Sequence, residues 1–155
     1  MKNEWRNNNT KQLKKYQHFL DKANTRSVLQ KLDELHEEAF KKFDCLDCGN
    51  CCRNYSPRFK TPDIKRISRH LKMRESVFID TYLRLDEDGD YVTKSSPCPF
   101  LGEGNKCTIY ENRPSDCRRF PYTNEDVFVK RKNITLKNVT FCPIADHVMK
   151  RLSEV

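Results

Sequence analysis

The 155-residue chain carries 30 Lys and Arg against 22 Asp and Glu, a net charge of +8, and 36% of its residues are hydrophobic while 34% are charged. That length suits one domain, the low apolar share predicts a thin core, and four glycines with seven prolines exclude a low-complexity chain. No stretch approaches ~18 apolar residues, so no membrane span is expected.

Residues 1–25 form a basic segment, in which Lys2, Arg6, Lys11, Lys14, Lys15 and Lys22 face only Glu4 and Asp21. The first ten residues hold no apolar run. They read as a frayed end rather than a secretory signal, so a reducing, cytoplasmic setting is expected, and the sequons at Asn133 and Asn138 are discounted. A helix is predicted from Leu13 through Tyr16, Leu20 and Ala23.

From residue 26 to 155 the chain reads as a cysteine-rich domain led by an amphipathic helix. Val28, Leu32, Leu35, Ala39 and Phe43 recur at three and four residues, which predicts a helix from about Ser27 to Phe43. His36 sits in that stripe and reads as a packed histidine. A second helix starts at Thr61, with Thr61 as N-cap, Pro62 at the first helical position and Asp63 in the first turn. A third is predicted over Ser76 to Leu85. Asp86 to Asp90 reads as a turn, because its glycine is misplaced for a calcium loop, and it leads into a strand at Tyr91-Val92-Thr93. Val127-Phe128-Val129 and Ile134-Thr135-Leu136 read as two further strands around a turn at Lys130 to Asn133. Pro143 opens a last helix with Ile144, Val148 and Leu152 on one face. The fold class expected is small α+β, mainly α, with an irregular metal-stapled core, short helices and one or two short hairpins.

The eight cysteines carry the chemistry. Cys45, Cys48 and Cys51 repeat the x2 spacing that lets thiolates grip one metal, with Cys52 adjacent. Neighbouring side chains point apart in extended backbone, so Cys51 and Cys52 are expected to feed two sites unless one is not a ligand. Cys98 and Cys107 flank the turn Gly102 to Lys106 and should converge. Pro114 precedes Cys117, and Cys142 stands at the N-cap of the last helix, where a thiolate is favoured. Arg53, Arg113, Arg118 and Arg119 lie near cysteines in sequence as partners for a negative centre. Eight thiolates around two divalent metals carry about −4, which would cut the net charge to roughly +4.

Zinc and iron both remain open. Eight cysteines divide into two four-thiolate zinc sites. The C-x2-C-x2-C run is similar to that of iron–sulfur ferredoxins, and Cys98-Pro99 and Cys142-Pro143 to its C-P ending, while the ferredoxin spacing to the fourth cysteine is absent. A protein partner is open. Nucleic acid is not expected, since the aromatics do not interleave with the basic runs. No catalytic arrangement stands out, so enzymatic activity is left open.

Cys45-Leu46-Asp47-Cys48-Gly49-Asn50-Cys51-Cys52-Arg53 resembles the signature of the CxxCxxCC family of zinc- or iron-chelating domains, the YkgJ-like cysteine-cluster proteins. The second block resembles it too, as Cys98-Pro99-Phe100-Leu101 and then Cys107 through Arg113-Pro114-Ser115-Asp116-Cys117 to Pro121, with Thr61-Pro62-Asp63-Ile64 between. The resemblance covers about residues 40–145. It implies a bacterial cytoplasmic protein that binds zinc or iron, a family often labelled as iron–sulfur oxidoreductases. It says nothing of the N-terminal segment.

Overall fold

The computed structural model describes residues 10–154, except for the side chains of Leu46 and Asp47. The expected fraying of the first ten residues therefore falls, up to position 9, outside the described residues. In chain order the helices and strands are α1 (Thr10–Lys22), α2 (Thr25–Lys42), α3 (Cys45–Cys48), α4 (Asn50–Asn54), α5 (Thr61–His70), α6 (Glu75–Tyr82), β1 (Leu83–Leu85), β2 (Tyr91–Thr93), α7 (Ser115–Arg119), α8 (Val127–Lys130), α9 (Lys132–Asn138) and α10 (Pro143–Ser153). The class is small α+β, mainly α, as expected. The chain forms two compact units. One is helical and joins the described residues up to Asp44 to those from Pro121 onward. The other is Cys45–Phe120.

In the helical unit, α10 packs on α1, α2 and α9, and α8 lies against α2 and α9. Asn24 caps α2 by accepting from the Arg26 N–H at 3.0 Å, satisfying one of the helix's orphan donors. The apolar stripe of α2 buries Val28, Leu32, Leu35 and Ala39, and α10 buries Ile144, Ala145, Val148, Met149 and Leu152. Several polar groups of this unit are partnered, whereas the buried Asn138 Nδ2 has no hydrogen-bond partner among the described residues. The Tyr16 hydroxyl donates to Asp146 Oδ1 at 2.9 Å, and burial pushes the Tyr16 phenol above its ordinary pKa. His36 Nδ1 lies 2.7 Å from Thr123 Oγ1. Glu38 joins His147 Nε2 at 2.8 Å and Arg151 Nε at 3.0 Å.

The expected strands at 127–129 and 134–136 are instead the helices α8 and α9. Their β-branched residues favour strands only where a pleated partner exists. Here Phe128 and Val129 are buried, and the buried Thr135 hydroxyl donates to the Phe128 carbonyl at 2.6 Å. Tertiary packing outweighs a propensity difference of a few tenths of a kcal/mol per residue.

The core of the cysteine unit is Phe59, Ile64, Ile67, Phe78, Leu83, Phe100 and Ile109, with Cys98 and Cys107 packed against it. Helices α5 and α6 pack on each other. The expected helix to Leu85 stops at Tyr82, because Leu83 to Leu85 pair antiparallel with Tyr91 to Thr93, Leu83 opposite Thr93. Asp86 closes this hairpin, its Oδ1 accepting from the Asp88 and Asp90 N–H groups at 2.9 Å each. The turn reading of 86–90 holds. Thr61 is not the N-cap of α5. Lys60 takes that position, and Asp63 reaches back to the Lys60 N–H at 3.0 Å.

Candidate metal centre

The eight cysteines are distributed unequally between the two units. Seven lie in the cysteine unit. Cys142 lies in the helical unit, buried at the N-cap of α10 as expected, with its N–H on the Asn138 carbonyl at 2.8 Å.

Cys45 and Cys48 begin and end α3, one helical turn apart and therefore on one face. Gly49 then reverses the chain with φ +60°, a left-handed conformation that glycine adopts without a Cβ penalty. A Cβ at Gly49 would come within 2.7 Å of Asn105 Cβ. Arg53 ties this corner together by donating from Nη1 to the Gly49 carbonyl at 3.2 Å and from Nη2 to Asn105 Oδ1. The sequence singles out Arg53 but not Asn105, whose role depends on a contact 52 residues away.

Cys51 and Cys52 sit side by side on α4. On this helix the Cys51 thiol lies within hydrogen-bonding reach of Cys52. Adjacent residues differ by about 100° in a helix, not by the half-turn of an extended strand. The Cys98 thiol also hydrogen-bonds to Cys52. The backbone reinforces the pairing, with the Cys98 N–H donating to the Cys52 carbonyl at 2.7 Å. Cys52 thus neighbours Cys51 on α4 and Cys98 across the chain.

Cys98 and Cys107 converge as the glycine-rich turn implied. Leu101 bridges Cys107 in antiparallel fashion, and the Gly102 N–H meets the Lys106 carbonyl at 2.8 Å. Each of the two sulfurs accepts a hydrogen bond from the backbone N–H two residues on, Phe100 for Cys98 and Ile109 for Cys107. Such bonds favour the anionic form of the acceptor. Cys117 lies half-buried on α7, with its own N–H on Pro114 O at 3.0 Å.

The electrostatics couple these groups. Hydrogen bonds from Cys51 and Cys98, and then the Arg53 charge, draw Cys52 down to about 3. Its anion pushes Cys98 up through their shared hydrogen bond, with burial adding to it. Burial first, and the Cys52 charge next, raise Cys117, and burial raises Cys107. Arg113 opposes the rise at both Cys107 and Cys117, while stacking on the Tyr110 ring at 3.9 Å. One thiolate is easily held here, and several are not unless a cation joins them. Soft anionic sulfurs gathered in this way suit zinc or iron. Among the described residues no group of three or more Cys, His, Asp or Glu forms a ready-made metal cage. What is assembled is a set of neighbouring thiols around Cys52.

Two buried carboxylates that spacing alone did not mark as part of the site hold the frame. Asp116, 2% exposed, accepts from the Arg58 N–H at 3.2 Å and from Arg58 Nε at 2.9 Å. Asp63, also 2% exposed, accepts from the Ser115 N–H at 3.1 Å. An acid in the first turn of a helix was the available signal. Its distant partners were not readable.

No solved structure matches the chain. An uncharacterized protein of Methanocaldococcus jannaschii is 31% identical over 97 residues, 61% of this chain and 50% of that protein. The chain thus spans about half the length of this curated relative. The CxxCxxCC family, whose description reads "Putative zinc- or iron-chelating domain", matches residues 44–143. That is more than half of the chain and takes in all eight cysteines, and the chain belongs to the CxxCxxCC family of metal-chelating domains.

Proposed function

We propose that Cys45, Cys48, Cys51, Cys52, Cys98, Cys107 and Cys117 chelate zinc or iron, and that the protein serves as a structural or metal-handling module in the cytoplasm. The observation that carries this reading is the thiol group around Cys52, with backbone N–H donors already on Cys98 and Cys107. A reducing compartment keeps such thiols available for metal. Cys142 is the eighth candidate by its chemistry, and the number of thiols that metal protects decides whether it joins.

An iron–sulfur centre with a redox role is the alternative, supported by the C-x2-C-x2-C spacing. Protein purified without oxygen should be assayed for metal, sulfide and visible absorption, and its thiols titrated with and without chelator. Colourless protein with zinc and seven or eight protected thiols supports the structural module. A brown protein with acid-labile sulfide moves the reading to the redox centre. Metal-free protein whose eight thiols all react at once ends both. Salt-dependent binding to arbitrary DNA or RNA would instead favour a zinc-ribbon-like role on nucleic acid.

A further inference from the structure

We propose that Asp63 is a positioning residue for Cys117. The inference rests on the metal-centre reading above and explains why an acid in the first turn of α5 belongs to the cysteine unit's chemistry.

A helix cap needs little from this carboxylate. One bond, to the Lys60 N–H at 3.0 Å, satisfies the start of α5. Asp63 does more. It accepts from the Ser115 N–H at 3.1 Å and from the Ser115 hydroxyl at 3.4 Å. It also holds Arg66 Nη2 at 3.0 Å, and that same nitrogen donates to the carbonyls of Arg113 at 2.9 Å and Asn112 at 3.3 Å. None of the bonds to residues 112–115 is required by α5. All of them fall on the segment that leads into Cys117.

Cys117 follows Ser115 by two residues on the five-residue helix α7. A helix this short has too few hydrogen bonds to set its own place. Its sulfur is therefore located by whatever holds Ser115 and Asp116. Asp63 holds the first, and Arg58 holds the second through Asp116. Buried, charge-assisted bonds resist displacement more than neutral ones, so removing the carboxylate frees the turn while α5 keeps its apolar packing through Ile64 and Ile67.

The test uses the full chain loaded with cobalt(II), reading the thiolate-to-metal charge-transfer band and the rate at which Cys117 is alkylated. Asp63→Asn keeps one oxygen for the Lys60 N–H but cannot accept at both positions. It should weaken the band by the same fraction as Cys117→Ser, with no further loss in the double variant, and speed Cys117 alkylation at least tenfold. A wild-type band and slow Cys117 in Asp63→Asn would overturn the proposal, as would a double variant weaker than either single one or an unchanged band in Cys117→Ser. Wild-type protein with no band would instead sink the metal-centre reading itself. Should Asp63→Asn fail to fold, Arg66→Lys, which loses the shared bonds to residues 112 and 113, carries the same readouts. Cys117 alkylation at the wild-type rate in that variant counts against the proposal.

Discussion

The helical unit and the cysteine unit divide the chain's modest apolar content differently. In the helical unit Leu32, Ala39, Phe128, Val148 and Met149 are all at most 1% exposed, and each comes from a helix that contributes a stripe. Close packing of this kind stabilises a fold without help. The cysteine unit has one cluster of seven buried apolar residues, five of them from α5, α6, β1 and the segment at Phe59. From Ser96 to Asn112 it contains turns, an isolated bridge and two single-turn 3-10 helices, Glu103–Asn105 and Tyr110–Asn112. Low hydrophobicity spread over the whole chain therefore conceals one region with several packed helical stripes and one with a single small apolar cluster.

Stripping the metal should separate the two most sharply. Structural zinc contributes about 10–16 kcal/mol per site, more than the small apolar cluster can replace. Chelation under reducing conditions should remove hydrogen-exchange protection from residues 45–120 while α2 and α10 keep theirs. Equal loss in both units would break the comparison, and no loss in either would show that packing suffices for both.

Leu32→Ala probes the opposite side. It should destabilise the helical unit by about 2–5 kcal/mol, as large-to-small core changes do, and leave metal content unchanged. Loss of metal in step with α2 would mean that the units fold as one.

Gly49→Ala should act on the cysteine unit alone. The left-handed φ of +60° costs a side-chain-bearing residue roughly 1–2 kcal/mol, and the new methyl must displace Asn105. A lowered urea midpoint for residues 45–120, with α1 and α2 unaffected, is the expected result.

The smallest effect is a pH dependence of the helical unit. Burial lowers the pKa of His36 below its ordinary 6.5, against the opposing pull of Asp33 and Glu37. The unfolded chain then binds the proton more readily than the folded one. Stability should fall as the pH drops from about 6.5 through the lower folded value. His36→Gln should flatten the melting temperature over that window, and an unchanged slope would assign the effect elsewhere.

The helices α2 and α10 were legible because their apolar residues recur with helical spacing, and the turn at Asp86 because Asp and Gly have local reasons to be there. The convergence of Cys98 and Cys107 was legible for the same reason, since Gly102 and Gly104 allow a tight reversal between them. Residues 127–136 misled, because Val, Ile and Thr favour strands only if a neighbouring strand receives them. Leu83 to Leu85 misled in the other direction, continuing a helical pattern into a segment that pairs with Tyr91 to Thr93.

Residue type and short spacing were enough to mark candidate soft metal donors, their order along the chain and the family the chain belongs to. They could not say that Cys51 and Cys52 stand on a helix, α4, nor that the Cys98 N–H meets the Cys52 carbonyl across 46 residues. They also could not say that Asp63 grips Ser115 or that Cys142 lies in the other unit. The reason is physical. Local backbone preferences act over a few residues and are written in the side chains themselves, whereas a thiol's neighbours and a carboxylate's distant partners are fixed by packing the chain against itself.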